Sequence, residues 1–403
     1  MPLTPLDGVR VLDLTHYIAG PYCTKLLADF GAQVIKIERP PAGDPARRIG
    51  PFFHDEPSLE SSALFLHLNT NKQSLTLNLK SAEGNRIVRR LLVDTDILVE
   101  NFRPGVLANL GLNYVTLKAI NPAIILTSIS NFGQTGPYRD LKASEIVESA
   151  MGGPMNITGH AHREPLKLGG NVVQYHAGAI AAYATVMALL RAEDQGAGDW
   201  IDVSIYETQC TNRDRRVIYL LGHAYTGELG KRQVFGHRAL SGVRQAADGY
   251  VSLVGAGTRL PGLLRIMGRE DLLEDPRVQE AIHHTSAEVM EEIEALYLEW
   301  LRGQPKHKVV AEAQAAHVLA APVNTIADLF SDPHFAERSP WSVIESPVTG
   351  PIAYPGPPFR MSASPAPAPS RAPMLGEHNT AILCDRLGYE REDLRRLAEQ
   401  GVI

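Results

Sequence analysis

The chain has 403 residues, of which 44% are hydrophobic and 21% are charged, and its formal charge at pH 7 is −6. This length accommodates two domains with a sizeable hydrophobic core. The charge is mild, and no stretch is basic enough to suggest a nucleic-acid partner. The composition therefore argues against a protein that acts on nucleic acid.

Signals for secretion, membrane insertion and metal binding are also missing. Met1-Pro2-Leu3-Thr4 has neither the basic nor the apolar region of a signal peptide, and no apolar run reaches the roughly 18 residues that cross a bilayer. Cys23, Cys210 and Cys384 are far apart and form no CxxC pair, so neither a zinc site nor a disulfide framework is indicated. We therefore expect a cytoplasmic protein with packed free thiols.

The stretch from Val11 to Pro40 predicts a βαβ unit. Val11–Leu14 is a short apolar run typical of a buried parallel strand, and Tyr22–Phe30 has apolar residues at helical spacing. Gly31 ends this helix, and Val34–Ile37 is predicted as the second strand. The turn after the first strand lies at the strand's carboxyl end, where open α/β sheets usually bind ligands.

The alternation of strand and helix continues along the chain. Ser81–Val93 is amphipathic and has an acidic residue near its start, as a helix start prefers. Further predicted strands are Leu64–Asn69, Ser74–Leu79, Ile97–Val99 and Ile124–Ser130. This pattern predicts an α/β fold with a mostly parallel sheet that is covered on both faces.

The composition changes after a predicted strand at Ile201–Tyr206. Basic residues cluster between Arg213 and Arg238, and we place a domain crossover there. Before it, Ala179–Arg191 is apolar but too short to span a membrane, which predicts a buried core or interface helix. After it, the proline-rich segment Met361–Ala372 predicts an extended connector. The predicted organisation is a large domain over 1–212, a small domain over 213–330, and a connector that returns to the large domain over 331–403.

Four blocks of the sequence match one known family in the same order. They are DLTHYIAGPYCTKLLADFGAQVIKIERP at 13–40, NTNKQSLTLNLK at 69–80, ENFRPGVLANLGL at 100–112 and SNFGQTGPY at 130–138. With these blocks the chain resembles the class III (CaiB/BaiF-type) CoA-transferases over nearly its whole length. The resemblance implies a large α/β domain built from both chain ends, a smaller α+β domain in the middle, and a dimer of interlocked rings.

The resemblance also implies covalent catalysis by an aspartate. In the family this carboxylate attacks an acyl-CoA thioester, forms a mixed anhydride, takes up CoA and passes it to a second acid. The matching block is Gly169–Gly178, in which the aspartate position holds Gln174, and no Asp occurs between Asp140 and Asp194. A primary amide is neither a nucleophile nor a general base, although it still donates and accepts hydrogen bonds. Gln174 is therefore a predicted site residue that cannot perform the family's covalent step.

Two neighbouring residues are candidates for relocated chemistry. The family's racemases pair the aspartate with a histidine, and the position of that histidine holds Ser144 here. Glu145 matches an acidic position near the nucleophile, and it either replaces the nucleophile or base, or orients loops and caps a helix start. His176 either acts as an acid or base or is a structural histidine.

The positions that the resemblance assigns to CoA are mostly retained. Arg39 and Lys80 can neutralise phosphates, and backbone groups that follow strands supply amide donors. CoA would be the acyl-carrying substrate, and neither a further cofactor nor a metal is expected. The predicted CoA-binding residues are His16, Tyr17, Ile18, Ala19, Arg39, Leu77, Lys80, Asn101, Phe102 and Lys142.

Three functions are compatible with this pattern. The first is CoA transfer by a heteromer in which a paralogous subunit supplies the aspartate, as the resemblance to succinyl-CoA:benzylsuccinate CoA-transferase implies. The second is a stand-alone transferase or an acyl-CoA racemase or isomerase, active as a homodimer, that uses Glu145 or His176. The third is a regulatory protein that binds acyl-CoA without turning it over.

Overall fold

The computed structural model describes residues 4–211, 221–228, 239–283 and 286–403. The chain forms two compact units, one comprising Met1–Gly159, Pro165–Gly230 and Pro340–Ile403, the other His160–Glu164 and Lys231–Ser339. Most of the predicted crossover between Arg213 and Arg238 lies outside the described residues. The domain limits given above therefore stay a prediction.

A six-stranded parallel sheet forms the centre of the large unit and confirms the predicted α/β class. Its strands are β1 Arg10–Asp13, β2 Gln33–Glu38, β3 Lys72–Thr76, β4 Ile97–Glu100, β5 Ile125–Ser130 and β6 Trp200–Ser204. Their order across the sheet is β3-β2-β1-β4-β5-β6. Val11 pairs with Val34 of β2 and Ile97 of β4, so the predicted βαβ unit lies at the middle of the sheet.

Helices cover both faces of this sheet. They are α1 Ala19–Asp29, α2 Ala63–Leu68, α3 Ala82–Leu92, α4 Val106–Asn109, α5 Tyr114–Ile120, α6 Glu145–Met151, α7 Val172–Gln195 and α8 Ile205–Thr211. Successive residues of a strand point to opposite faces. Val11 accordingly packs with Leu27 of α1 and Ala181 of α7, whereas Leu12 packs on the other face with Leu91 of α3.

The strand predicted at Leu64–Asn69 is wrong, because this segment forms helix α2. The Ser62 hydroxyl accepts a hydrogen bond from the backbone N–H of Phe65 at 3.3 Å, which caps the helix start. Phe65, Leu66 and Leu68 are buried on the inner side. A short apolar run fits either a strand or a buried helix, and here the serine cap starts a helix.

Helix α7 is much longer than the predicted apolar helix at Ala179–Arg191. Its 24 residues are long and apolar enough to cross a membrane by length and composition alone, so the expectation that the segment is too short is wrong. Ala177 and Ala181 are nevertheless buried in the core with α1. A Cβ atom on Gly178 would lie 2.5 Å from the Ala19 carbonyl oxygen, so glycine permits the close approach of the two helices. The packing of this face is that of a core helix.

The small unit has its own antiparallel sheet and core. Its strands are β7 Ser241–Ala246, β8 Gly249–Val254 and β9 Leu319–Pro322, in the order β7-β8-β9. Its helices are α9 Leu260–Ile266, α10 Pro276–His283, α11 Ala287–Arg302, α12 Lys306–Ala315, α13 Ile326–Phe330 and α14 Pro333–Arg338. Leu253, Leu263 and Tyr297 belong to one buried cluster. This arrangement is of the α+β type that the resemblance implies.

The chain then returns to the large unit. The strands β10 Trp341–Ser346 and β11 Gly350–Pro355 form an antiparallel pair, and Met361–Ala372 has neither helix nor strand, as predicted. The last helix is α15 Arg391–Glu399. Three backbone N–H groups on and just after β3 donate to this returning segment: Ser74 to His378 Nδ1, Thr76 to Asn379 Oδ1 and Asn78 to the Val402 carbonyl. The C-terminal segment thus covers the outer edge of the sheet.

Candidate active site

Two cavities of the large unit lie beside the carboxyl ends of its parallel strands, where such sheets place their ligand sites. We call them the Arg39 cavity, of about 350 Å³, and the Gln174 cavity, of about 1000 Å³. Phe102 and Val106 line both, so the two cavities adjoin. Together they contain all the predicted CoA-binding residues except Ala19, which is buried in α1, and they contain Glu145 and Gln174 but not the candidate His176.

The Arg39 cavity combines apolar walls with cationic groups. Five of the predicted CoA-binding residues line it, namely His16, Arg39, Leu77, Lys80 and Phe102. Arg48 also lines it and was missed by the sequence analysis, because it lies in a segment without periodicity. Apolar surface beside guanidinium and ammonium groups suits a flat base linked to phosphates.

Hydrogen bonds fix the turn that follows β1. The backbone N–H of His16 donates to Asn101 Oδ1 at 2.8 Å, and Asn101 Nδ2 donates to the His16 carbonyl at 2.8 Å. The next N–H, of Tyr17, donates to Asp44 Oδ1 at 3.1 Å. Tyr17 has a positive φ of 64° and its side chain is 52% exposed. The turn therefore presents Tyr17 at the wall of the Gln174 cavity in a strained, fixed conformation.

A buried ionic network lies beneath this turn. Lys36 Nζ contacts Asp44 Oδ2 at 2.9 Å and donates to the Thr15 carbonyl at 2.8 Å, while Lys72 Nζ contacts Asp13 Oδ2 at 3.1 Å. Burial alone would raise the pKa of Asp13, but the charges of Lys36 and Lys72 outweigh it and hold that pKa well below its usual range. Burial lowers the pKa of Lys72 to about 8. These paired charges support the turn from below, because Lys36 donates to the backbone of the turn.

The Gln174 cavity joins the predicted catalytic position to the predicted CoA residues. Its walls include Tyr17, Ile18, Asn101, Phe102, Lys142, Glu145 and Gln174. These residues come from the ends of β1 and β4, from the start of α7, and from the start of α6 and the loop before it. The structure therefore brings together in one cavity residues that are more than 150 positions apart along the chain.

Glu145 acts as a cap for helix α7. Its carboxylate accepts hydrogen bonds from the backbone N–H groups of Val173 at 3.0 Å and Gln174 at 3.2 Å. These are unpaired donors of a helix N-terminus, which attracts negative charge. Of the interpretations of Glu145, the geometry favours the capping role. His176 Nδ1 lies 3.5 Å from Nε2 of Gln209 on α8.

Glu148 was not predicted, yet it contacts the catalytic position directly. Gln174 Nε2 donates to Glu148 Oε2 at 2.6 Å, and the glutamate is fully buried. Burial and the nearby charge of Glu145 raise the pKa of Glu148 to about 7. The only sequence signal was its position one helical turn after Glu145, since burial of a carboxyl cannot be read from spacing. Among the described residues, no group of three or more His, Cys, Asp and Glu side chains could hold a metal ion.

The chain belongs to CoA-transferase family III, whose family model matches residues 6–379. Succinyl-CoA--D-citramalate CoA-transferase of Chloroflexus aurantiacus is 35% identical over 100% of this chain and 99% of its own length. The alpha and beta subunits of succinyl-CoA--L-malate CoA-transferase from Chloroflexus aurantiacus are 30% and 32% identical over 99% of this chain, and over 92% and 98% of their own lengths. A CaiB/BaiF family protein from Brucella suis has the same fold, with a TM-score of 0.85, 32% identity and coverage of 95% of this chain and 99% of its own. The resemblance to class III CoA-transferases is confirmed.

Proposed function

We propose that this chain takes part in CoA transfer from an acyl-CoA such as succinyl-CoA to a dicarboxylic acid, as the subunit that lacks the aspartate nucleophile. One observation carries the proposal: an amide, Gln174, occupies the nucleophile position inside an intact cavity. The names of two relatives pair succinyl-CoA with dicarboxylic acids, and one of these enzymes has alpha and beta subunits. A paralogous subunit would then supply the aspartate.

The groups around Gln174 do not replace this nucleophile. The Glu145 carboxylate is held by two backbone N–H groups, which lowers its reactivity toward a thioester. Glu148 is fully buried behind Gln174 and is not part of the cavity wall. The CoA-binding positions, in contrast, keep their cationic and apolar character. An intact binding site beside an unreactive amide supports binding and positioning over covalent catalysis.

The proposal is tested by CoA exchange from succinyl-CoA to a panel of dicarboxylic acids, with this chain alone and mixed with an aspartate-bearing paralogue from the same genome. We expect activity above that of the paralogue alone only in the mixture. Activity of this chain alone that Glu145→Ala abolishes and Gln174→Ala spares would instead show relocated chemistry. Tight binding of acyl-CoA without exchange in either preparation would indicate a binding protein.

A further inference from the structure

The carboxyl group of Glu148 has two oxygen atoms with different partners. Oε2 accepts from the side-chain amide of Gln174 at 2.6 Å. Oε1 lies 3.0 Å from the amide nitrogen of Asn131, in the orientation in which the Asn131 oxygen accepts from the backbone N–H of Ala143 at 3.2 Å. Because Ala143 offers a fixed donor, the Asn131 amide cannot turn over without losing that bond. Glu148 Oε1 therefore always faces a donor.

This asymmetry decides where a proton binds. Oε1 already receives the Asn131 N–H, so a proton on Glu148 belongs on Oε2 and points toward Gln174. When the O–H of a protonated Oε2 points at the Gln174 amide nitrogen, two donors face each other and the hydrogen bond between these groups is lost. A half-turn of that amide about its last side-chain bond places its oxygen opposite the proton and restores the hydrogen bond. After this half-turn, the Gln174 amide nitrogen takes the position that the amide oxygen held, on the side of the amide away from Glu148.

The amide oxygen of Gln174 is the end of the amide that Glu148 does not hold. Gln174 lines the Gln174 cavity, and within the described part of the chain no donor is bonded to its Oε1. The Glu145 carboxylate holds the backbone N–H groups of Val173 and Gln174, so the start of α7 is fixed separately from the side chain. The amide can therefore turn over while the helix stays in place.

The pKa of Glu148 is raised for identifiable reasons. It is fully buried, and the largest contribution to its raised pKa, about 7, is burial, followed by the charge of Glu145. The other titratable side chains on the packed helices are Tyr175, His176, Tyr183, Arg191, Glu193 and Asp194 of α7 and Tyr206, Glu207 and Cys210 of α8. Lys142 lies in the loop before α6 and lines the cavity.

We propose that Glu148 is a positioning residue that determines which end of the Gln174 amide faces the cavity. Ionised Glu148 presents the amide oxygen to the cavity, whereas protonated Glu148 presents the amide nitrogen. Only the nitrogen can donate to a carboxylate, so binding of the carboxylate substrate is coupled to the uptake of one proton by Glu148. The inference rests on the proposed function in one respect, namely that a carboxylate occupies this cavity.

The coupling has a defined direction. A bound carboxylate favours the protonated form of Glu148, and protonation favours the bound carboxylate by the same factor. Affinity therefore rises as the pH falls through the range in which Glu148 gains its proton. Above that range, each pH unit weakens carboxylate binding by up to about tenfold.

The coupling is measured by calorimetric titration of succinate into the CoA-saturated chain, in two buffers of different ionisation enthalpy slightly above neutral pH. The dependence of the heat on the buffer gives the number of protons taken up. We expect an uptake approaching one proton per succinate. Binding without proton uptake, or no binding of succinate at any pH, would overturn the proposal.

Two variants separate the positioning role from a structural one. Glu148→Gln mimics the protonated state, because its amide nitrogen can donate to Gln174 while its oxygen accepts from Asn131. It is expected to bind succinate as the wild type does at low pH, without proton uptake. Gln174→Met keeps the side-chain length but removes the amide, and it should bind weakly at every pH. Wild-type pH dependence in Glu148→Gln would refute the assignment.

The wild-type measurement does not depend on either variant folding. CoA affinity at the Arg39 cavity shows whether a variant is folded, since that site shares no residue with the Glu148 cluster. The mixture assay described above tests the proposed function separately. Exchange activity together with proton-independent succinate binding would retain the proposed function and reject the role of Glu148.

Discussion

Replacing Arg47 by methionine tests the buried ionic groups that support the cavity walls. Arg47 is fully buried, and its guanidinium donates from Nε and Nη2 to the two carboxylate oxygens of Glu38 at 2.7 and 2.8 Å. A third bond reaches Glu60 at 2.8 Å, and the guanidinium carbon lies 3.6 Å from the ring centroid of Phe65. Methionine keeps much of the volume but removes the charge.

The expected loss is large because Glu38 stays behind in the interior. Removing one partner of a buried ion pair destabilises a protein by about 3–5 kcal/mol. If each kcal/mol moves the melting temperature by about 2 °C in a protein of this size, the variant melts about 6–10 °C lower. The loss is therefore well above the scatter of a thermal unfolding experiment.

The effect should also depend on pH. Burial would raise the pKa of Glu38, but the hydrogen bonds and charge of Arg47 lower it below its ordinary value of 4.5. A carboxyl group with a lowered pKa stabilises the fold above its unfolded pKa, and this contribution is lost as the pH falls through the folded pKa. The difference between wild type and Arg47→Met should therefore be largest near neutral pH and shrink below about pH 4.5.

Denaturant and thermal unfolding of the two proteins measure this difference. Arg86→Met is a matched control, since the exposed Arg86 side chain forms an ion pair with Glu83 on its own helix. We expect the control to unfold almost as the wild type does. A loss below about 1 kcal/mol for Arg47→Met would show that Lys36 and Ser74 compensate Glu38 without the arginine, and would refute the reasoning.

Three further predictions concern the site and its supports. Gln174→Asp should give the chain CoA-transfer activity of its own and a covalent CoA adduct visible by intact-mass spectrometry. The control Gln174→Asn keeps an amide and should give neither. A Gln174→Asp variant without the adduct would contradict the assignment of Gln174 to the nucleophile position. Asn101→Ala removes both bonds to His16, worth about 1 kcal/mol each, so calorimetry should show CoA binding weakened by roughly tenfold or more. Unchanged CoA affinity in this variant would show that the turn held by Asn101 does not contribute to CoA binding. Gly178→Val places a side chain against the Ala19 carbonyl oxygen. The free energy of unfolding measured in urea should fall by about 1–3 kcal/mol. An unchanged urea midpoint would mean that α1 and α7 can move apart without cost.

The sequence predicted those parts of the fold that depend on local pattern. The strand containing Val11 and the helix containing Leu27 follow from apolar runs and helical spacing, and both are present. The helix at Ala63–Leu68 was misjudged because six apolar-rich residues carry too little periodicity to separate helix from strand. The Ser62 cap favours the helix, and a pattern of apolar residues alone does not show such a cap.

Parts of the candidate site could be anticipated and parts could not. The family motifs identified Gln174 and Lys142, which share one cavity. Glu148 was missed because its importance depends on burial and on contacts with Asn131 and Gln174 across three separate segments. Lys36 and Lys72 were missed for a similar reason, since charged residues within strands are usually exposed. Only the folded structure shows that these buried lysines pair with Asp44 and Asp13. The roles of the CoA-binding residues stay predictions.

The cover of the β3 edge has a consequence for how the chain folds during synthesis. Thr76 and its partner Asn379 are 303 positions apart. At translation rates of about 5–20 residues per second, the strand waits roughly 15–60 s for the residues that cover it. During that time an uncovered strand edge offers unpaired N–H and C=O groups to any neighbouring nascent chain. Expression at lower temperature or with chaperones that shield sheet edges should therefore raise the soluble yield of this protein more than stabilising its core would.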